Sequence, residues 1–416
     1  MPEAERLERI LTAESLAAVD ALGPMELVVG VHVSGQARYV GQVLDAVRAG
    51  LARHFSGLRT ALLVADAGSQ DGTRDATSAG MEAAAPDPPV RYLEYAGPRH
   101  RGRAIFAILA VARHLGVRAV GLLDCALTGL RPEWIRELLH PVLDAGVDYV
   151  SPAYTLAAWE GTLTTNLLAP VTRALYGKRI RQLVGGCAGL SGGLIDRLLG
   201  SDAWRSEWVA HGVEVWLPTE ALAGGVAVAE AHLGRKGLDP GVQPDVATTL
   251  VRTVGPLFAL MEIHREAWLD VRGSQPVSGV GDPGAPAVEA EGREPGVERM
   301  VRAFKLGLKD LLPVWEQIMP ETTLSQLYPL GLLAPDEFRF PLPTWARVVS
   351  DFAVTHHERR LPREHLLRAL TPLYLGRVAA FLLEARPRSP ARIPEILENI
   401  GRAFEAEKPR LAARWR

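Results

Sequence analysis

Cysteine is nearly absent: the 416 residues contain two, Cys125 and Cys187. Two cysteines so far apart make neither a metal knuckle nor a disulfide framework, and a reducing, cytoplasmic setting is the simplest expectation. An excess of charge of one sign is lacking too. Lys and Arg number 46 against 48 Asp and Glu, a formal net charge of −2, and the densest basic stretch is Arg99, Arg101 and Arg103. That balance excludes a nucleic acid partner held by electrostatics. No apolar stretch reads as long enough to cross a bilayer, so no membrane span is expected. The opening MPEAERLERIL is acidic and helix-patterned, without the basic and apolar regions of a signal peptide. No internal repeat is visible.

What is present is an ordinary globular composition, 48% hydrophobic and 23% charged, in a chain long enough for one large α/β domain and a smaller one. Residues 4–22 carry apolar side chains at helical spacing. The run ELVVGVH (26–32) reads as a buried parallel strand. A helix over about 37–54 follows, then a strand TALLVA (60–65) ending at Asp66, a helix over 72–84, a strand near 90–95, a helix over 103–115, and a strand AVGLL (119–123) ending at Asp124. This alternation predicts a Rossmann-like, mostly parallel sheet with helices on both faces. Ligands then bind at the carboxyl ends of the strands. Residues 273–297, rich in Gly, Pro, Ala and Ser, read as a flexible linker, and 298–416 as an amphipathic helical domain. The pair His356 and His357 is expected on a solvated helix face rather than at a metal, since adjacent residues point to different sides of a helix.

Three strand-end stretches carry polar chemistry. Asp66, Gly68, Ser69, Asp71 and Thr73 make good turn and helix-start chemistry, either a plain junction or a nucleoside pocket in which Asp66 accepts from the base. Gly102 and Arg103, opening a helix after Arg99 and Arg101, suit a diphosphate, because free amides and the helix dipole favour anions; a solvated basic turn is the bland alternative. Asp124, Cys125 and Ala126 close the fourth strand.

The order of these stretches resembles GT-A glycosyltransferases, and the likeness extends further. Arg131-Pro-Glu-Trp134, Glu160-Gly-Thr-Leu-Thr-Thr-Asn166, Leu175-Tyr-Gly-Lys-Arg-Ile-Arg-Gln182, Gly185-Gly-Cys-Ala-Gly189, Gly212-Val-Glu-Val-Trp216 and the segment 370–378 are together similar to the retaining glucosyl-3-phosphoglycerate, glucosylglycerate and mannosylglycerate synthase group. The resemblance covers about 25–390 and implies a GT-A fold with a helical C-terminal region. The chain then divides into an N-terminal helix (1–24), a nucleotide-sugar-binding and acceptor domain (25–272), the linker (273–297) and the helical domain (298–416), the last expected either to complete the acceptor side or to form a homodimer seam. It implies a donor site of Asp66, Gly68, Ser69, Gly102, Arg103 and Asp124, an acceptor side of Thr162, Thr164, Gly185 and Gly186, and Glu214 beneath the reacting sugar, where a carboxylate supports an oxocarbenium-like state. The partners implied are a GDP-, UDP- or ADP-hexose carrying glucose or mannose and a glycerate-like acceptor; the cofactor implied is Mg²⁺ or Mn²⁺, with Asp124 at most a ligand.

Three positions depart from the family pattern. Ala126 replaces the second Asp of Asp-x-Asp, Cys187 stands where close relatives have Asp, and Leu238 aligns with the metal-binding His. Divalent cations on diphosphates need oxygen or imidazole ligands, so this degenerate site speaks against metal-dependent activity. Either cations such as Arg101, Arg103, Arg235 and Lys236 neutralise the diphosphate, or the chain is a non-catalytic pseudo-glycosyltransferase that binds a nucleotide sugar or partners an active paralogue. Relatives acting on 3-phosphoglycerate have an arginine at the position of Thr162, which favours unphosphorylated glycerate here. His232 is expected to be a packed histidine.

Overall fold

A computed structural model describes residues 7–82, 88–157, 159–237, 245–283, 296–386 and 392–416. Ten strands are assigned: β1 (Leu27–Val33), β2 (Thr60–Asp66), β3 (Val90–Leu93), β4 (Ala119–Asp124), β5 (Tyr149–Thr155), β6 (Lys178–Arg179), β7 (Cys187–Ser191), β8 (Val228–Arg235), β9 (Gln275–Pro276) and β10 (Ser278–Val280). Eight of them form one sheet in the order β10-β8-β5-β7-β4-β1-β2-β3. All its pairings are parallel except those of β7, which runs antiparallel between β4 and β5. Helices surround this sheet, and a helical region makes up the C-terminal part, as the alternation of strands and helices predicts.

The chain divides into two compact units. The first, residues 1–155, 184–241 and 277–284, holds the large sheet. β1, β2 and β4 are buried along their whole length, which is why they read as unbroken apolar runs. The helix Arg101–His114 packs on β1 at Gly30, where a Cβ would lie 2.3 Å from Ile108 Cγ2. That close approach seats the helix with its N-terminus, about 10 Å from Ile108 at 1.5 Å per residue, toward the carboxyl ends of the strands. The helix expected over 4–22 is two helices, Leu7–Ile10 and Ala13–Asp20. They break because Leu11 bridges to Tyr95 and the Thr12 side chain caps the second helix through Ser15 N.

The second unit comprises residues 156–183, 242–276 and 285–416, a wider set than the expected 298–416. The helix Ala169–Tyr176 belongs with the C-terminal helix Arg392–Trp415: Arg173 Nη1 and Nη2 pair with Glu398 at 2.7 and 3.1 Å, and its Nε donates to Glu405 at 2.8 Å. Asn166 is fixed likewise. Its carbonyl accepts from Trp345 Nε1 at 2.7 Å and its Oδ1 from the fully buried Arg377, which also pairs with Glu384. The expected linker needs correction where it is described. Gln275–Pro276 pairs with Lys178–Arg179, and Ser278–Val280 extends the large sheet beside β8; residues 284–295 lie outside the described set.

Two further expectations change. By length and composition alone, Val246–Ile263 and Arg363–Glu384 are apolar enough to cross a membrane. Leu250, Val254, Leu257 and Phe258 of the first and Leu366, Leu373, Val378 and Phe381 of the second are buried in the protein core, which accounts for their apolarity. His356 is not on a solvated face: it is 1% exposed and packs edge-on to Phe258. His357 pairs with Glu262 and stacks on Trp415 at 4.4 Å.

Candidate functional site

The parallel strands β1, β2 and β4 end at one edge of the sheet. Register places Val33 beside Asp66 and His32 beside Asp124, so the two acids flank β1 at a separation of roughly 10 Å, two interstrand spacings. This is where the topology of such sheets puts a ligand.

Asp66 is 6% exposed. Its Oδ1 accepts from Gly68 N at 2.9 Å, Ser69 N at 2.8 Å and Ser69 Oγ at 2.8 Å, while among the described residues Oδ2 accepts from the Tyr92 hydroxyl at 3.3 Å. One oxygen therefore builds the turn and the other keeps acceptor capacity. Ser69 Oγ also accepts from Gly35 N at 2.8 Å, and Asp71 accepts from Ala37 N at 3.2 Å. The loop after β1 is thus tied to the loop after β2. Burial raises the Tyr95 hydroxyl to about 12, and that hydroxyl donates to the Asp66 carbonyl.

The helix Arg101–His114 is capped by His100, whose Nδ1 accepts from Arg103 N at 3.1 Å. Gly102 is a close-packing position. A Cβ there would lie 2.7 Å from Ala210 O, so its hydrogen lets this helix touch the backbone of Glu207–Ala223. The two arginines at the start of this helix point different ways. Arg103 Nε donates to Ala96 O at 3.1 Å, and its guanidinium lies over Phe106. Arg101 turns toward the strand ends instead, with Nη1 2.7 Å from Glu214 Oε1 and Nη2 3.4 Å from Asp124 Oδ2.

Glu214 reaches this point because its helix is kinked. Gly212 leaves helical geometry at φ −113° and ψ 26°, so Glu214 begins a second helical segment. Asp124 is 8% exposed, its Oδ1 accepts from Ala126 N at 2.9 Å, and its own amide donates to Gly186 O at 2.7 Å. Alanine at 126 therefore still contributes a backbone amide, though no carboxylate. Burial alone would raise the Asp124 carboxyl; His32, Arg101, the Ala126 amide and Lys236 more than offset this, and it titrates below the usual aspartate range. Burial lowers His32, against the pull of Asp124.

His32 was not among the residues expected here. It is 4% exposed, and its Nδ1 has no hydrogen-bond partner among the described residues. His32, Asp124 and Glu214 each bring one possible metal-ligand atom within 4.8 Å of the others. It is the polar residue at the carboxyl end of ELVVGVH, and applying the strand-end rule to β1 would have selected it. The set does not fit a divalent cation as it stands: Arg101 already holds both carboxylates, and a dication between them would face a fixed positive charge. Leu238 lies outside the described residues.

Gly185 packs on Pro152, and its carbonyl accepts from Tyr154 Oη and Lys236 Nζ, each at 3.0 Å. Gly186 takes φ +81° against Leu127. Cys187 is buried beside Tyr154 Oη at 3.0 Å, burial lifting its thiol to about 12; Cys125 is buried as well, and both are free thiols. Thr162 and Thr164 belong to the second unit. Thr162 Oγ1 shares a 2.8 Å hydrogen bond with Tyr374 Oη, and Thr164 opens the π-helix Thr164–Leu168.

No protein-family model matches the chain, and no curated protein matches it. Solved structures do. The chain is similar to glucosyl-3-phosphoglycerate synthase from Mycobacterium tuberculosis in complex with Mn²⁺, UDP and phosphoglyceric acid, at 21% identity over 61% of this chain and 83% of that one, with a TM-score of 0.42. It is similar to the same synthase with Mg²⁺ and UDP (21%, 60%, 83%, 0.42) and to a mycobacterial protein (22%, 59%, 78%, 0.42). Likeness at this level leaves the functional reading to the residues at the strand ends.

Proposed function

We propose that the chain is a retaining glycosyltransferase that moves glucose or mannose from a nucleotide sugar to a glycerate-like acceptor. The observation that carries the reading is the joining of Arg101, Asp124 and Glu214, drawn from two helices and a strand end, beside the Asp66 turn. Asp66 Oδ2 is the acceptor offered to a nucleobase, and the Gly68–Ser69 turn its support. The diphosphate lies toward Arg101 and the start of its helix, where dipole and guanidinium favour an anion. Glu214, held as one arm of that ion pair, stands next to where the sugar follows the diphosphate.

In the reaction the bond from the anomeric carbon to the diphosphate oxygen breaks and a bond to the acceptor hydroxyl oxygen forms on the same face. The acceptor proton passes to the departing phosphate oxygen. Glu214 stabilises the oxocarbenium-like charge without taking a proton. Gly185 and Gly186 remain on the proposed acceptor side, and two buried free thiols suit a cytoplasmic setting.

The test is incubation of the purified chain with UDP-, GDP- or ADP-hexose and either glycerate or 3-phosphoglycerate, with mass spectrometry of the products. A hexosyl-glycerate is the expected product. Binding of a nucleotide sugar without product would favour the pseudo-glycosyltransferase, a reading consistent with Ala126 bringing no carboxylate. Failure to bind any of these donors would refute both.

A further inference from the structure

We infer that Arg101 is a built-in substitute for the divalent cation, so that the chain binds its nucleotide diphosphate without metal. The inference rests on the nucleotide-sugar reading above and deepens it. Of the cations that the sequence offers near the diphosphate stretch, Arg103 is turned to Ala96 O and Phe106, and Lys236 to Gly185 O and the Tyr154 ring. Arg235 is exposed at the end of β8. Arg101 bridges the two carboxylates of the strand-end cluster, at 2.7 Å to Glu214 and 3.4 Å to Asp124.

Its placement is fixed from three sides. Ile108 over Gly30 seats the helix on β1, Gly102 against Ala210 sets the neighbouring helix at backbone contact, and the Gly212 kink turns Glu214 toward the guanidinium. Glu214 and the lesser pull of Asp124 outweigh burial and raise the Arg101 pKa, so its charge is permanent. A guanidinium carries five donors in a planar fork. Two nitrogens engaged by carboxylates leave further N–H groups for phosphate oxygens, and bidentate geometry suits them. Two carboxylates and one guanidinium leave one net negative charge when His32 is neutral, against which a bound diphosphate needs the helix N-terminus as well. A metal held by His32, Asp124 and Glu214 is the rival arrangement, and it requires Arg101 to leave.

The experiment is calorimetric titration of UDP into the full chain, with EDTA and then with excess Mn²⁺ or Mg²⁺, for wild type, Arg101→Met and Arg101→Lys. Wild type is expected to bind UDP in EDTA, with less than about twofold change on adding either ion. Arg101→Met loses about ten- to a hundredfold in affinity, the worth of hydrogen bonds from a charged group, and its residual binding becomes Mn²⁺-dependent because the three ligands are released. Arg101→Lys falls between. Mn²⁺ titration of the ligand-free wild type followed by EPR gives a second readout that needs no variant: no tightly bound ion is expected.

A tenfold or greater dependence of wild-type UDP binding on Mn²⁺, tight Mn²⁺ binding by the free chain, or Arg101→Met with unchanged affinity overturns the inference while leaving the nucleotide-sugar reading intact. Absence of UDP binding in either condition removes the UDP form of that reading and this inference together.

Discussion

Gly102→Ala is the perturbation whose outcome the structure defines most sharply. The added Cβ would sit 2.7 Å from Ala210 O, 3.0 Å from its Cα and 3.1 Å from its carbonyl carbon. All three are backbone atoms, so no side chain can swing aside, and the two helices must separate by several tenths of an ångström. Overpacking of this kind costs typically about 1–3 kcal/mol. Alanine returns up to ~1 kcal/mol of helix propensity over glycine, less at the second residue of a helix than in its interior. The net expectation is a loss of roughly 1–2 kcal/mol, which for a unit of this size lowers the unfolding midpoint by roughly 3–6 °C. Gly41→Ala is the control: it also lies early in a helix, Val40–His54, but a Cβ there meets nothing within 4 Å, so stability is unchanged or raised by up to ~1 kcal/mol. Scanning calorimetry reads both. Nucleotide titration adds a second axis, because the displaced backbone leads one turn later to Glu214 and the displaced helix begins with Arg101. A Gly102→Ala chain that melts at or above wild type would refute the close-packing reading of this position.

Other expectations concern the second unit and acid. The Arg173 hydrogen bond holds the Glu398 carboxyl down at about 2 against an ordinary 4.5. The stabilisation is fully present above pH 4.5 and is lost as pH falls toward 2, so the melting difference between Glu398→Gln and wild type is large at pH 7 and closes below that window. Burial depresses His356 from 6.5 to about 4, with Arg363, Arg359 and His357 adding to it. The native state therefore loses stability as pH falls from 6.5 toward 4, because the unfolded chain takes up a proton there that the buried ring does not. Both its ring nitrogens are buried without partners among the described residues, so His356→Leu is expected to raise stability at pH 7 by about 1 kcal/mol and to flatten the acid limb of a melting-versus-pH curve; an unchanged limb counts against the assignment. For the transfer itself, Glu214→Gln keeps the shape and removes the charge that supports the oxocarbenium. Turnover is expected to drop by about a hundredfold or more, with UDP affinity changed far less, and equal losses in both would assign Glu214 to binding alone.

The first half of the sheet was legible because parallel strands buried on both faces leave continuous apolar runs. ELVVGVH, TALLVA and AVGLL are such runs, each within a residue or two of the observed strand. β7 was not legible. Its five residues include Gly189, where a Cβ would lie 2.1 Å from Leu138 O, and its place between β4 and β5 is decided by partners distant in sequence. β10 was masked by composition: Ser278–Val280 sits in a Gly- and Pro-rich stretch and takes its order from β8. The strand-end acids were readable by the same rule that locates ligands in such sheets. Side-chain direction was not, so the different orientations of Arg101 and Arg103, two residues apart, could not be read. Arg103 caps a turn and Arg101 faces Glu214, a choice set by helix phase and by the kink at Gly212. His32 was missed although its position satisfied the rule.

The return of the chain to the first unit at residues 277–284 bears on its synthesis. A ribosome that has made 241 residues has synthesised every strand of the large sheet except β10, yet it must also make 242–276, which belong elsewhere, before that edge can close. The unit in which Arg101, Asp124 and Glu214 reside is therefore finished only after part of its neighbour has emerged, and no single cut of the gene yields either one whole.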